Sequence, residues 1–195
     1  METRETSYKQ IVKSTGIFGG SQLFNMLIGV FRTKVAAALL GPLGVGLIGL
    51  YQSIIEMIRS VSGLGLHFSS VRDMAQANAG GDRQQINTTA SVLTRWIVFT
   101  AILGALLCVV FSKQISTLAF GDSSKSSQIC LLSFSVFALT LSAGQKSMLQ
   151  GMRKIAYMAK ASVLGSLSGF IVASILYLTL GQEGIVPALL AAAFL

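Results

Sequence analysis

Residues 16–63 read GIFGGSQLFNMLIGVFRTKVAAALLGPLGVGLIGLYQSIIEMIRSVSG. Two apolar stretches meet there at Gly41 and Pro42, and each reaches the length of about 20 residues that a helix needs to cross a bilayer. Four charges stand inside them: Arg32 and Lys34 in the first stretch, Glu56 and Arg59 in the second. A charged side chain at the centre of a membrane helix costs about 2.5–3.5 kcal/mol on insertion scales, so it is kept where it faces a cavity, a partner or a substrate. Three cations against one anion leave positive charge in surplus, which suits an anionic guest.

The rest of the chain continues the pattern. Of its 195 residues, 52% are hydrophobic and 11% charged, with a mean hydropathy of +0.70; a water-soluble domain carries about a quarter charged residues. The net charge of +8 therefore belongs to the basic loops that membrane topology requires, and nucleic acid is not expected as a partner. Apolar windows place spans at about 13–40, 44–66, 90–112, 128–150, 157–180 and 184–195, the last one incomplete. The expected fold is an all-α integral membrane protein: one bundle over 1–195 of about six transmembrane helices, in contact with membrane lipid. The polar amino terminus followed by an apolar run imitates a signal peptide. Arg32 and Lys34 nevertheless separate that run from the small residues Ala36–Ala38, so a retained first span is expected.

Basic residues set the orientation. With the amino terminus cytoplasmic, that side holds Arg4, Lys9, Lys13, Arg72, Arg83, Arg95, Lys146, Arg153, Lys154 and Lys160, against Lys113 and Lys125 outside. The longest polar interval, His67 to Arg95, reads as an inner loop flanked by helical extensions, with Asp82 placed to cap the helix that follows. His67 has no second histidine nearby, and no metal site is expected. Cys108 and Cys130 lack metal-ligand spacing. They are expected as free thiols packed as small apolar groups, although their places towards the outer ends of neighbouring spans also allow a disulfide.

Helical spacing sorts the polar residues. Gln22, Asn25, Gly29 and Arg32 share one face of the first span, and Gln52, Glu56, Arg59 and Gly63 share one face of the second. On consecutive antiparallel helices, these two stripes are expected to line one cavity. Arg32 is the leading substrate-contact residue, because a guanidinium fork matches phosphate oxygens bidentately. Glu56 and Arg59, three apart, form an ion pair or share in function. Lys34 lies about 200° around the helix from Arg32 and is either a second contact or an interfacial anchor.

Other motifs carry less. Gly44, Gly46 and Gly49 spell GxGxxG, but no strand precedes them, so they serve a tight helical hairpin rather than a dinucleotide. Ser133, Ser135, Thr140 and Ser142 are expected to bond their own helix backbone. Gly16 with Gly20, and Gly165 with Gly169, have the spacing of close helix contacts. No nucleophile, base and orienting group stand in recognisable spacing, so neither an enzyme nor a cofactor is expected.

Three segments, AAALLGPLGVGLIGLYQS (36–53), IRSVSGLGLHFSSVRDMAQA (58–77) and LQGMRK (149–154), resemble the polysaccharide flippases of the MOP (multidrug/oligosaccharidyl-lipid/polysaccharide) superfamily. The likeness is to the Wzx-type translocases for O-antigen and related units. It implies a multi-pass protein of the bacterial inner membrane, with a cytoplasmic amino terminus, that flips an undecaprenyl-pyrophosphate-linked oligosaccharide to the periplasmic leaflet for lipopolysaccharide assembly. Arg32 and Arg59 would hold the pyrophosphate. Gln22, Asn25, Gln52 and Lys34 would bind phosphate or sugar, and Glu56 would couple the cycle to an ion. Glycan polymerase or ligase machinery would be the protein partner. Members have about twice this length in two bundles, so the chain is expected to supply the amino-terminal half. The rival readings are a multidrug exporter of the same superfamily and a non-transporting membrane scaffold of a glycan assembly complex.

Overall fold

The computed structural model describes the backbone of residues 2–63 and 65–195 and the side chains of residues 16, 18–63 and 65–195. The basic side chains Arg4, Lys9 and Lys13 lie outside the described residues. Helices follow one another as α1 (Glu2–Ser62), α2 (Leu66–Gly80), α3 (Arg83–Val110), α4 (Ser112–Phe120), α5 (Ser126–Gly151) and α6 (Ile155–Leu180). A 3-10 turn at Gly181–Gly184 then leads into α7 (Ile185–Phe194). No strand occurs among the described residues.

Among the described residues, four continuous stretches are long and apolar enough to cross a membrane: Phe18–Ser62, Arg83–Val110, Ser126–Gly151 and Ile155–Phe194. The first and last, 45 and 40 residues long, far exceed the roughly 20 residues of one crossing. Each folds back on itself. In α1 the reversal is at Gly41, whose φ of 70° is a left-handed conformation that costs a side chain but not glycine. Pro42 then starts the second arm, where a missing amide hydrogen costs nothing. Arg32 and Ala36 of the first arm share a cavity wall with Val45, Ile48 and Gln52 of the second. The molecule is thus an all-α membrane bundle.

Helix α5 is the hub, touching every other helix. Its small residues permit this, because membrane helices pack closely where side chains are short. A methyl group added at Gly144 would meet the Ile97 side chain at 2.4 Å, and one at Gly151 would meet Met74 Cβ at 2.7 Å. By contrast, Gly16 and Gly20 face open space among the described residues, so their GxxxG spacing makes no contact there. Gly165 and Gly169 lie against Leu195 and Ala192 of α7. Of the four hydroxyls expected to bond their own helix backbone, Thr140 does so, donating to the Val136 carbonyl at 2.7 Å; the buried Ser135 hydroxyl departs from that expectation and has no partner among the described residues. Cys108 and Cys130 are free thiols, and Cys108 Sγ donates to the Ile129 carbonyl at 3.3 Å.

Two features depart from the sequence reading. The interval after His67 is not a loop: α2 occupies most of it, and only Gly81 and Asp82 lie outside helix before α3. Ser70, Met74 and Ala77 bury one face of α2, so packing against α5 orders a segment whose composition reads as polar. Asp82 does cap α3, accepting from the Gln84 amide at 2.9 Å. The second departure concerns the stretch expected at 44–66. Its helix ends at Ser62 and resumes at Leu66. A side chain at Gly104 would meet Ser62 Oγ and Val136. Val136 lies about 15 Å along α5 at 1.5 Å per residue, out of about 39 Å. The break therefore lies within the bundle, not at its end. The buried core divides there. One cluster joins Tyr51, Ile55 and Ile58 to Ile129, Leu132, Tyr177 and Leu189, and a smaller one joins Met74, Leu93 and Ile97.

Candidate functional site

Three adjoining cavities follow one face of the second arm of α1. The middle one, about 300 Å³, is walled by Arg32, Gln52, Ile55, Glu56 and Arg59, closed by Leu139 of α5 and by Leu189, Ala192 and Ala193 of α7. It shares Arg32 and Gln52 with a cavity of about 160 Å³ nearer Gly41, where Thr33, Ala36, Val45 and Tyr177 complete the wall. It shares Glu56 and Arg59 with a cavity of about 370 Å³ at the helix break, which adds Ser60, His67, Phe68, Ser70, Thr100 and Thr140. Residues 45, 48, 49, 52, 56, 59, 60 and 63 provide this continuity through the three- and four-residue spacing of one helical face.

The charges are disposed unequally. Arg59 Nη1 donates to Glu56 Oε1 at 2.7 Å, with the Glu56 side chain 70% exposed and Arg59 21% exposed. The pair leaves Arg59 Nε buried without a partner among the described residues, and Arg32 Nη2 is likewise buried and unpartnered among them. A buried donor without an acceptor costs about 1–3 kcal/mol, more when charged. Arg32 makes no ion pair among the described residues. The middle cavity therefore holds one compensated and one uncompensated guanidinium.

Residues 11–195 match the family described as polysaccharide biosynthesis protein. The chain belongs to that family. No curated protein and no solved structure matches it. As a multi-pass member of the polysaccharide biosynthesis family, it places its unpaired donors inside a membrane bundle rather than on a loop.

Of the residues singled out by sequence, Arg32, Gln52, Glu56 and Arg59 meet at one cavity, as the two-stripe reading requires. Three do not join them. Asn25 instead ties α1 to α6: its Nδ2 donates to Ser162 Oγ at 2.8 Å and its Oδ1 accepts from Ser166 Oγ at 2.6 Å. An amide engaged at both ends in helix packing is not the free phosphate or sugar contact expected of it. Gln22 is exposed and outside the three cavities, and Lys34 is exposed on the far side of the helix from Arg32. Neither Gln22 nor Lys34 shares a cavity wall with Arg32 among these three.

Tyr177 of α6 and Thr100 of α3 enter the track unforeseen. Tyr177 is buried, with a hydroxyl that has no partner among the described residues. His67 also lines the cavity at the helix break.

Proposed function

We propose that this chain forms the amino-terminal bundle of a non-enzymatic transporter of the MOP superfamily. It moves an undecaprenyl-pyrophosphate-linked oligosaccharide from the cytoplasmic to the periplasmic leaflet of the bacterial inner membrane, for O-antigen or a related surface polysaccharide. The carrying observation is the cavity within the bundle where Arg32 and Arg59 hold buried guanidinium donors without partners. Pyrophosphate supplies several anionic oxygens in the geometry that guanidinium forks accept. Gln52, in the same wall, adds an amide for phosphate or sugar oxygens, and Glu56 serves as the ion-coupling group beside Arg59. A drug exporter would need an acidic surplus to hold cationic compounds, and the surplus here is basic. The distribution of Lys and Arg supports a cytoplasmic amino terminus.

The test is Arg32→Ala in the full-length protein. Surface glycan is expected to be lost while the protein remains in the membrane at its normal level. Unchanged glycan export would refute the reading and favour a scaffold, which is indifferent to this side chain.

A further inference from the structure

The cavity at the helix break differs chemically from its neighbour. Thr100 Oγ1 donates to the Ile97 carbonyl at 3.0 Å and Thr140 Oγ1 to the Val136 carbonyl at 2.7 Å. Towards the cavity both hydroxyls therefore offer lone pairs. Donors of the opposite sense stand in the same wall: Ser70, 0% exposed, has a hydroxyl without a partner among the described residues, and Arg59 Nε is unpartnered among them too. The one carboxylate, Glu56, is already compensated by Arg59 at 2.7 Å.

This mixture selects among ligands. A metal cation would be repelled by Arg59, and a free anion would face two sets of threonine lone pairs that the Arg32 cavity lacks. A neutral polyhydroxyl compound fits, because each hydroxyl both donates and accepts. The rings of His67 and Phe68, edge to face with centroids 5.7 Å apart, add an apolar wall for the CH face of a sugar ring. A volume of about 370 Å³ lies in the range of roughly 300–1,000 Å³ typical of small-ligand sites.

We infer that this cavity is a saccharide subsite, taking the neutral sugar ring next to the pyrophosphate while the adjoining Arg32 cavity takes the phosphates. The inference rests on the flippase reading and divides the headgroup between two cavities. Glu56 and Arg59, common to both walls, stand where the sugar–phosphate linkage crosses.

Binding to the intact protein in lipid nanodiscs tests it with two probes: bare undecaprenyl pyrophosphate, and the same lipid carrying one N-acetylglucosamine. The wild type is expected to prefer the sugar-bearing lipid. Thr140→Val and Thr100→Val should each weaken that lipid about tenfold, the loss of one well-placed hydrogen bond, and leave the bare lipid unchanged. Retained binding of the bare lipid also certifies the fold of each variant. Equal wild-type affinity for the two lipids, or equal loss of both in both variants, overturns the saccharide subsite while leaving the phosphate reading standing. Failure of the wild type to bind either lipid overturns the flippase reading, and the subsite with it.

Discussion

Replacing Gly144 with Ala should destabilise the wild-type bundle and stabilise an Ile97→Ala variant of it. The added methyl would stand 2.4 Å from Ile97 Cγ2, 2.6 Å from Cγ1 and 2.7 Å from Cδ1, where carbon atoms prefer about 3.5–4.0 Å. Ile97 must retreat by about 1 Å, yet it is 3% exposed and packed with Met74 and Leu93. Its β-branched side chain has one strongly preferred helical rotamer, so rotation offers little relief. Overpacking of this kind costs about 1–3 kcal/mol. Against it stands a gain of about 0.8–1.0 kcal/mol from replacing a helical glycine with alanine. The net in the wild type is a loss of about 1 kcal/mol, which lowers the melting temperature by about 2–4 °C for a chain of this size. Truncating Ile97 removes all three clashing atoms, so in that background the alanine contributes its helical gain and raises the melting temperature by a similar amount. Thermal unfolding in detergent reads both values through Trp96, the only tryptophan, which neighbours Ile97 on α3. A change of the same sign in both backgrounds would refute the claim that Gly144 exists for the approach of Ile97.

Asn25→Leu should cost about 1 kcal/mol of stability, since interhelical hydrogen bonds in membranes average about 0.6 kcal/mol each, and should leave glycan export intact; impaired export with normal stability would return Asn25 to the substrate path. Glu56→Gln removes the acceptor on Arg59, and because Glu56 is 70% exposed its competition is weak. Bare undecaprenyl pyrophosphate should bind about two- to fivefold tighter, in line with ion pairs of about 0.2–1 kcal/mol; weaker binding would contradict an anion at Arg59. Asp122, between α4 and α5, accepts from Ser124 Oγ at 2.6 Å and from the Ser124 amide at 2.9 Å, and these bonds hold its carboxyl below the ordinary value of 3.8. Its contribution to stability is therefore present above pH 3.8 and lost as pH falls through the lower folded value. Carbon NMR titration should find the Asp122 midpoint raised by Ser124→Ala, and an unmoved midpoint would remove the cause assigned.

How much of this could be read from the chain depends on whether a feature is local. The meeting of Arg32 with Gln52, Glu56 and Arg59 was legible because both stripes belong to arms joined by a short reversal at Gly41, so helical periodicity alone fixes which residues face each other. Asn25 lies on the same stripe, yet its partners are 137 and 141 residues away, and no local period reveals which face meets a distant helix. Tyr177 and Thr100 were missed for that reason. Composition misled at α2, where Ser70 is as deeply buried as Met74, because small hydroxyls pack against α5 as readily as methyl groups do. Gly63 and Gly65 read as the end of a span; only the packing of Ser62 against Gly104 and Val136 places that break inside the bundle.

The break also accounts for where the polar cavities lie. In hydrocarbon every backbone amide and carbonyl must be satisfied, so a helix is interrupted at depth only where protein or a polar cavity replaces lipid around it. At Ser62 the interruption is enclosed by α3 and α5, and the largest of the three cavities opens beside it. From there to Gly49 the track runs about 20 Å along one helical face at 1.5 Å per residue. Arg59 and Arg32 stand at its two internal boundaries, each belonging to the cavities on both sides. An anionic group moving along the track would pass from one guanidinium to the other without crossing an apolar gap, and desolvation in such a gap is the dominant barrier to moving charge through a membrane. On the proposed reading, two shared arginines would lower that barrier more effectively than the same two residues placed inside separate pockets.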